Sequence, residues 1–402
     1  MRILFLSRWF PFPADNGAKV RVFNIIKAIA QRHQVRLVSF VTDPVSEEHL
    51  AHMRQYCYQV ETVPYRTFRA NSLKSRLGFF SPIPRSFLDT HNSGYQSLVQ
   101  KAGCEEKFDL LIGSQWDTIP YMLGTPSLKH TPKLLEEVEI SIFHSQFVRE
   151  KRPMQRLRKL IMWNKWRHFM AQSLKQINAC TVVSEPEIAP IHDCLPGYVP
   201  IGVIPNGADM ERFTGDFGQP QPNTVVYTGA MTYYVNFDAM KFFLTDVWPK
   251  VIAQVPDAKL YMCGKTEGVP VHELPQHPSA MLTGHLSDIR RRIAESWISV
   301  VPERLGGGTR IKVPESMALG TPVVSTLRGA TGLDVTHGHD ILIADQPEAF
   351  VREVVNVLKD AALRDKLSRN GRATVETKYD WRVIGHKLDD FMMQVIYGGA
   401  TI

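Results

Sequence analysis

The sequence predicts an α/β chain built from two facing Rossmann-like domains with a cleft between them. Three observations carry that expectation. The chain has 402 residues, more than one hydrophobic core serves, so about two domains of ordinary size are expected. A strand-loop-helix-strand unit opens the chain, and a second begins at Val225. Between Val300 and Thr326 a buried strand runs into a glycine loop, a short helix and another strand, VVPERLGGGTRIKVPESMALGTPVVST.

The elements follow in order. Arg2 to Leu6 is a short apolar strand, SRWFPFPADNG is the loop after it, and Ala18 to Gln31 has helical spacing through Val22, Ile25, Ile26 and Ile29. Val35 to Val41 is the next strand. Such a unit favours a parallel sheet whose ligand side is the C-terminal edge of its strands, which places Asn16 and Gly17 near that edge. Their alternative role is turn geometry alone. Tyr65 to Arg85 is rich in Arg, Lys and aromatics without a regular period, and reads either as a membrane-facing excursion or as a solvated connection. FDLLIGS (from Phe108) and PKLLEEV (from Pro132) are buried strands followed by Gln115, Trp116, Asp117, Glu137 and Glu139. Phe147 to Gln176 is a long helical pattern. Trp163, Trp166 and Met170 put one face of it in the core, and Arg149, Lys151, Arg152, Arg156, Arg158, Lys159, Lys165 and Arg167 make the rest basic.

ACTVVS (from Ala179) is a further strand, and IPNG (from Ile204) turns the chain into the second domain through the linker-like TGDFGQPQPN. There VVYTG, a helix from Asp238 to Ile252, and KLYMCG repeat the opening architecture. A short helix from Ile289 to Ile298, the strand Ser299 to Pro302, the strand Ile341 to Ala344, a helix from Pro347 to about Leu367 and a last helix from Trp381 to Ile396 complete the reading.

Residues 1–200 hold 26 Lys and Arg against 17 Asp and Glu, whereas 201–402 hold 21 against 23. The basic excess of the first half suits an anionic membrane surface or a phosphate-bearing acceptor, or simply solvent. No motif of a nucleic-acid module is present, so nucleic acid is not expected as a partner. Five cysteines, with no C-x-x-C pair, suggest neither a disulfide framework nor a zinc site and fit a reducing cytoplasm. The opening apolar run meets Arg8 and two prolines at once, which marks a strand and not a leader, and no apolar stretch is long enough to span a bilayer.

The richest chemistry lies in the glycine stretch. Pro314 suits the first turn of a helix and Gly320 the residue just past its end, which places Glu315 in the first turn. Gly306, Gly307, Gly308 and Thr309 can bring backbone N–H groups to a ligand, and Arg310 and Lys312 lie between loop and helix. This is a cradle for a diphosphate, with one carboxylate placed to grip neighbouring hydroxyls such as a ribose diol.

The stretch resembles the C-terminal signature of retaining GT-B glycosyltransferases, specifically glycosyltransferase family 4, in the branch reading G-G-G-T-R-x-K-x-x-E-x-M-A-x-G-x-P-V-V-S. Met1 to Val41, IPNGADMERF (from Ile204) and VVYTGAMTYYVNFDAMKFF (from Val225) match as well, so the resemblance spans essentially the whole chain. In general pattern it is similar to bacterial sugar transferases of exopolysaccharide and surface-glycan pathways. The resemblance implies a GT-B fold with an acceptor domain over 1–205, a nucleotide-sugar domain over 206–378, and a helix within 379–402 that crosses back to the first. It implies that the donor lies on the second domain, with Gly229, Met231, Gly306, Gly307, Gly308, Thr309 and Glu315 binding it and Arg310 and Lys312 stabilising the leaving diphosphate. Asn16, Gly17, Gln115 and Glu137 are the acceptor-side candidates. Transfer with retention, with no metal and no cofactor beyond the nucleotide-sugar, is also implied, as is a glycan or lipid-linked acceptor reached in the cytoplasm or at the inner membrane face.

Three departures accompany the match. Where many members carry a histidine after the strand corresponding to FDLLIGS, this chain has Ser114 and Gln115. The frequent E-x7-E pattern would put its first glutamate at position 307, which is Gly307, and Glu303 lies further back. The turn GAMTYYVN lacks the Arg and Lys that many members carry there. A nucleotide-sugar epimerase, a catalytically silent binding or scaffold protein, and a peripheral membrane adaptor using the basic face remain alternatives at this stage.

Overall fold

The computed structural model describes residues 1–138, 140, 147–148 and 150–398. Glu139 and Arg149 lie outside the described residues. The chain divides into two compact units, Met1–Ile204 with Gly385–Ile402, and Pro205–Ile384.

In the first unit β1 (Arg2–Ser7), β2 (Gln34–Val41), β3 (Gln59–Pro64), β4 (Leu110–Ser114), β5 (Lys133–Glu136), β6 (Ala179–Val182) and β7 (Ile201–Val203) form one parallel sheet in the order β3-β2-β1-β4-β5-β6-β7. Strand β1 carries Ile3, Leu4, Phe5 and Leu6 at 0% exposure, because a parallel sheet is covered on both faces. The first helix, Gly17–Ile29, starts where the Asn16 side chain accepts a hydrogen bond from the Lys19 N–H at 3.1 Å, an N-cap. Strand β3 has no fully apolar run, which is why the sequence reading missed it; it is an edge strand with one buried residue, Val63. The expected long basic helix runs from Pro153 to Leu174. Pro153 begins it as a first-turn proline, and Trp166 and Met170 are buried as their spacing required.

In the second unit β8 (Gln221–Thr228), β9 (Lys259–Cys263), β10 (Ala280–Gly284), β11 (Ser296–Val301), β12 (Val323–Ser325) and β13 (Leu342–Ile343) pair in parallel in the order β10-β9-β8-β11-β12-β13. Strand order reverses between β8 and β11, as it does between β1 and β4 in the first unit. Loops leaving such a pair part to opposite sides and open a crevice at the carboxyl edge. Several boundaries differ from expectation, and hydrogen bonds account for two of them. The helix expected from Pro347 to about Leu367 is two, Pro347–Lys359 and Ala361–Thr374, because Asp360 leaves helical geometry and caps the second by accepting from the Leu363 N–H at 2.9 Å. Strand β11 begins at Ser296, three residues before its expected start, since Trp297 N–H bonds to Thr224 Oγ1 at 2.9 Å and extends the pairing.

The last helix, Trp381–Tyr397, contains the division between the units. Its later part belongs to the first unit, where Asp389 pairs with Arg32 and His33, both at 2.6 Å. Among the described residues no helix is long and apolar enough to cross a membrane.

Candidate functional site

The second unit's site is assembled from the turn after β8 and the loop after β11. In the first of these, Gly229 has a φ of +155° and Gly264, after β9, one of +152°. A Cβ on Gly264 would sit 2.2 Å from the Gly229 carbonyl oxygen, so only glycine lets these two turns touch backbone to backbone. Asn236 then ties the turn down by donating to the Ala230 carbonyl at 2.9 Å. Met231, expected at the donor, is a core residue instead. Its side chain is buried among the apolar residues of the unit and its N–H bonds to the Lys265 carbonyl at 2.8 Å.

The loop after β11 opens with Glu303, whose side chain is 0% exposed. Its Oε1 accepts a short hydrogen bond from Lys312 Nζ and lies 3.2 Å from the Tyr227 hydroxyl. Its Oε2 is buried without a hydrogen-bond partner. Lys312, the first residue of the helix Lys312–Ala318, reaches back over the Tyr227 ring at 4.0 Å and lies 3.3 Å from Asn236 Oδ1. Burial lowers the pKa of this ammonium and nearby Arg310 adds to that, while Glu303 and Glu315 oppose the shift. Burial likewise holds the Tyr227 phenol well above its ordinary range, with the Glu303 carboxylate adding to the effect.

Between Glu303 and Lys312 the glycine loop folds around Arg310. That guanidinium donates to the Gly307 carbonyl and the Leu305 carbonyl, each at 2.8 Å, and so braces the loop from inside. Gly306 and Gly308 adopt φ of +83° and +71°, and a Cβ on Gly306 would lie 2.5 Å from Arg310 Nη2. Thr309 is buried, and its carbonyl accepts from Asn206 Nδ2 at 3.4 Å. Glu315 is part-buried in the first turn of the helix. Burial pushes its pKa up to about 7, opposed by the charges of Arg212 and Lys312 and by no hydrogen bond. A carboxylate held in that state is ready to accept hydrogen bonds from a ligand's hydroxyls. Among the described residues no group of three or more His, Cys, Asp or Glu is placed to hold a metal ion.

The first unit offers a second constellation at its own switch point. Gln115 and Glu137, the residues that follow β4 and β5, have φ of +65° and +58°, a left-handed backbone that non-glycine residues adopt at a cost. Gln115 Nε2 donates to Glu137 Oε2 at 2.9 Å, and Gln115 Oε1 accepts from Trp9 Nε1 at 3.1 Å. The structure thus joins two of the acceptor-side candidates through their side chains. It gives Asn16 a capping role, and Gly17 is the exposed first residue of the helix that Asn16 caps. Neighbouring Glu136 is fully buried and receives Arg21 Nε at 2.7 Å. Arg8 lies over the Tyr65 ring at 3.2 Å and 3.9 Å from Asp117.

Sequence reasoning missed Tyr227, Asn236 and Trp9, and undervalued Glu303. A tyrosine within VVYTG looks like any strand residue. Glu303 carried a usable signal, a carboxylate immediately after an apolar strand and nine residues before a lysine on the following helix.

Residues 222–360 match the family described as Glycosyl transferases group 1. A Klebsiella pneumoniae protein described as an uncharacterized 44.6 kDa protein in the cps region is 19% identical over 94% of this chain and 96% of its own length. A GDP-mannose-dependent phosphatidylinositol monomannoside mannosyltransferase of Corynebacterium glutamicum is 22% identical over 55% of this chain and 64% of its own. Among solved structures, sucrose-phosphate synthase from Thermosynechococcus elongatus superposes with a TM-score of 0.69 at 16% identity, covering 99% of this chain and all of that one. Anabaena HepE in complex with UDP and glucose gives 0.67 at 14%, and the lipopolysaccharide glycosyltransferase WaaG 0.65 at 15%, covering 98% and 99% of this chain and all of each of theirs. The stretch similar to the group 1 glycosyl transferases thus lies within the second unit, and the chain as a whole has the GT-B fold.

Proposed function

We propose that this glycosyltransferase moves a sugar, with retention of anomeric configuration and without a metal ion, from a nucleoside-diphosphate donor to a glycan or lipid-linked acceptor of a polysaccharide or surface-glycan pathway. One observation carries the donor side. Glu315, part-buried and pushed up to about 7, shares a few residues of chain with the Lys312 ammonium and the Arg310-braced glycine loop, beside a switch point. Carboxylate to ribose hydroxyls and cation to diphosphate is the division of labour these groups allow. As the glycosidic bond breaks, negative charge grows on the leaving diphosphate, and a cation fixed beforehand lowers the barrier. The mannosyltransferase relative and the UDP complex of HepE support a nucleotide-sugar donor over a silent scaffold.

On the acceptor side the reading uses Gln115 and Glu137, with Glu137 positioned to accept a hydrogen bond from an incoming hydroxyl. An anionic membrane surface is the proposed setting. Phe80 is 92% and Leu77 62% exposed, and Met154 on the basic helix is 80% exposed. Phe79 ties the two segments together, with its carbonyl bonded by Lys165 and its ring 5.7 Å from Arg158. Apolar side chains among cations suit a lipid interface.

Thermal-shift and turnover screening against UDP-, GDP-, dTDP- and ADP-sugars in metal-free buffer tests the proposal. Stabilisation by one nucleotide, with slow donor hydrolysis that Glu315→Ala abolishes, is the expected result. Absence of any shift across the panel would overturn it.

A further inference from the structure

The second unit contains a buried polar cluster that the proposed chemistry uses only in part. Glu303 is fully enclosed, Lys312 is 12% exposed, and between them lie the Tyr227 hydroxyl and Asn236 Oδ1, 3.0 Å from each other. Removing two charges from water is costly, and only close pairing makes it tolerable. The cost here is raised further because Glu303 Oε2 has no hydrogen-bond partner. A strand end that needed only packing would be better served by an apolar residue. The arrangement also has a direction: both side-chain hydrogen bonds of Glu303, from Lys312 and from Tyr227, converge on Oε1.

From this geometry we propose that Glu303 is a positioning residue for donor binding, whose buried carboxylate holds Lys312 charged and fixed against Tyr227 and Asn236 beside the glycine loop. This rests on the reading of Lys312 as a diphosphate-binding group. Lys312 begins the helical turn that carries Glu315, so fixing its ammonium sets the distance between the diphosphate cation and the diol carboxylate. The charged groups that bear on Lys312 are Glu303, Glu315 and Arg310, and Tyr227 is the titratable group beneath it. Glu303 raises the pKa of Lys312 both by charge and by hydrogen bond, Glu315 raises it by charge, and Arg310 lowers it. Without Glu303, burial and Arg310 are opposed by Glu315 alone, and the ammonium loses its proton at a lower pH.

Two measurements on Glu303→Gln test this. Competitive labelling of lysines with acetic anhydride, read by mass spectrometry, follows Lys312 ionisation in the free protein. Calorimetric titration with UDP, GDP, dTDP and ADP at pH 6.5 and 9.0 follows its use. The expected result is a labelling midpoint lower by about one pH unit or more, the effect of losing one close opposite charge. The affinity lost between the two pH values should then be roughly tenfold greater in the variant than in the wild type. Lys312→Arg, whose guanidinium stays charged throughout, should remove that alkaline loss from the otherwise native chain and serves if Glu303→Gln does not fold. An unchanged labelling midpoint overturns the proposal whatever the nucleotides do. A shifted midpoint with unchanged pH dependence of binding overturns the role in donor binding while leaving the ion pair. If no nucleotide binds, the donor site itself is refuted, and labelling still decides whether Glu303 governs Lys312.

Discussion

Replacing Glu315 with Gln should stabilise the ligand-free protein at alkaline pH while it abolishes nucleotide binding. The carboxyl titrates at about 7 in the fold against an ordinary value of 4.5, because burial disfavours the charged form more than Arg212 and Lys312 favour it. A group whose folded pKa is raised binds its proton more tightly in the native state. Its stability contribution is present at acid pH and is lost as pH rises through the folded pKa. At about 1.4 kcal/mol for each tenfold change in proton affinity, the loss between pH 4.5 and pH 8.5 is roughly 3 kcal/mol. The amide has nearly the shape of the protonated acid and no charge to lose. Wild type and Glu315→Gln should therefore unfold alike in urea at pH 5, whereas at pH 8.5 the variant should be more stable by about 3 kcal/mol, or roughly 6–12 °C in Tm for a unit of this size. Parallel stability curves for the two proteins from pH 5 to 8.5 would refute the argument. They would mean that the carboxylate is solvated or paired, and the case for a buried diol-binding group would go with it.

Two further outcomes are expected. Arg310→Ala frees the Gly307 and Leu305 carbonyls, so the glycine loop loses its brace and turnover should fall about a hundredfold, the scale of misplacing ligand-binding groups by about 1 Å; a rate within a few-fold of wild type rejects the role. Phe80→Ser with Leu77→Ser should reduce sedimentation with vesicles containing anionic lipid, and high salt should reduce it further in the wild type, since both apolar insertion and cations contribute; unchanged sedimentation would move the interface elsewhere.

Much of the fold was legible in the sequence because buried parallel strands are short apolar runs between glycine and proline turns. RILFLS, FDLLIGS and VVYTG could hardly be anything else, and all three are central strands. Edge strands β3 and β10 were not read. An edge strand buries fewer residues, so its composition drifts toward that of a loop: β10 has no fully buried residue. Long helices were found but their ends were not, since a single cap such as Asp360 breaks a pattern that apolar spacing continues across.

For the proposed donor site, the sequence by itself pointed to the glycine loop, Arg310, Lys312 and Glu315. They lie within ten residues of each other on one loop and helix, and local chain geometry brings them together without help. Only the tertiary structure decided what these groups do to each other. Glu303 meets Lys312 because the chain turns back across the loop, and Glu303 meets Tyr227 and Lys312 meets Tyr227 and Asn236, more than sixty residues earlier, because β8 and β11 are neighbours in the sheet. The bond from Gln115 to Glu137 likewise needs β4 beside β5 and two left-handed residues at their ends. Residue type and spacing record what a short stretch of chain can offer to a ligand. Burial, and the pairing that makes a buried charge tolerable, depend on which distant strands the sheet places side by side.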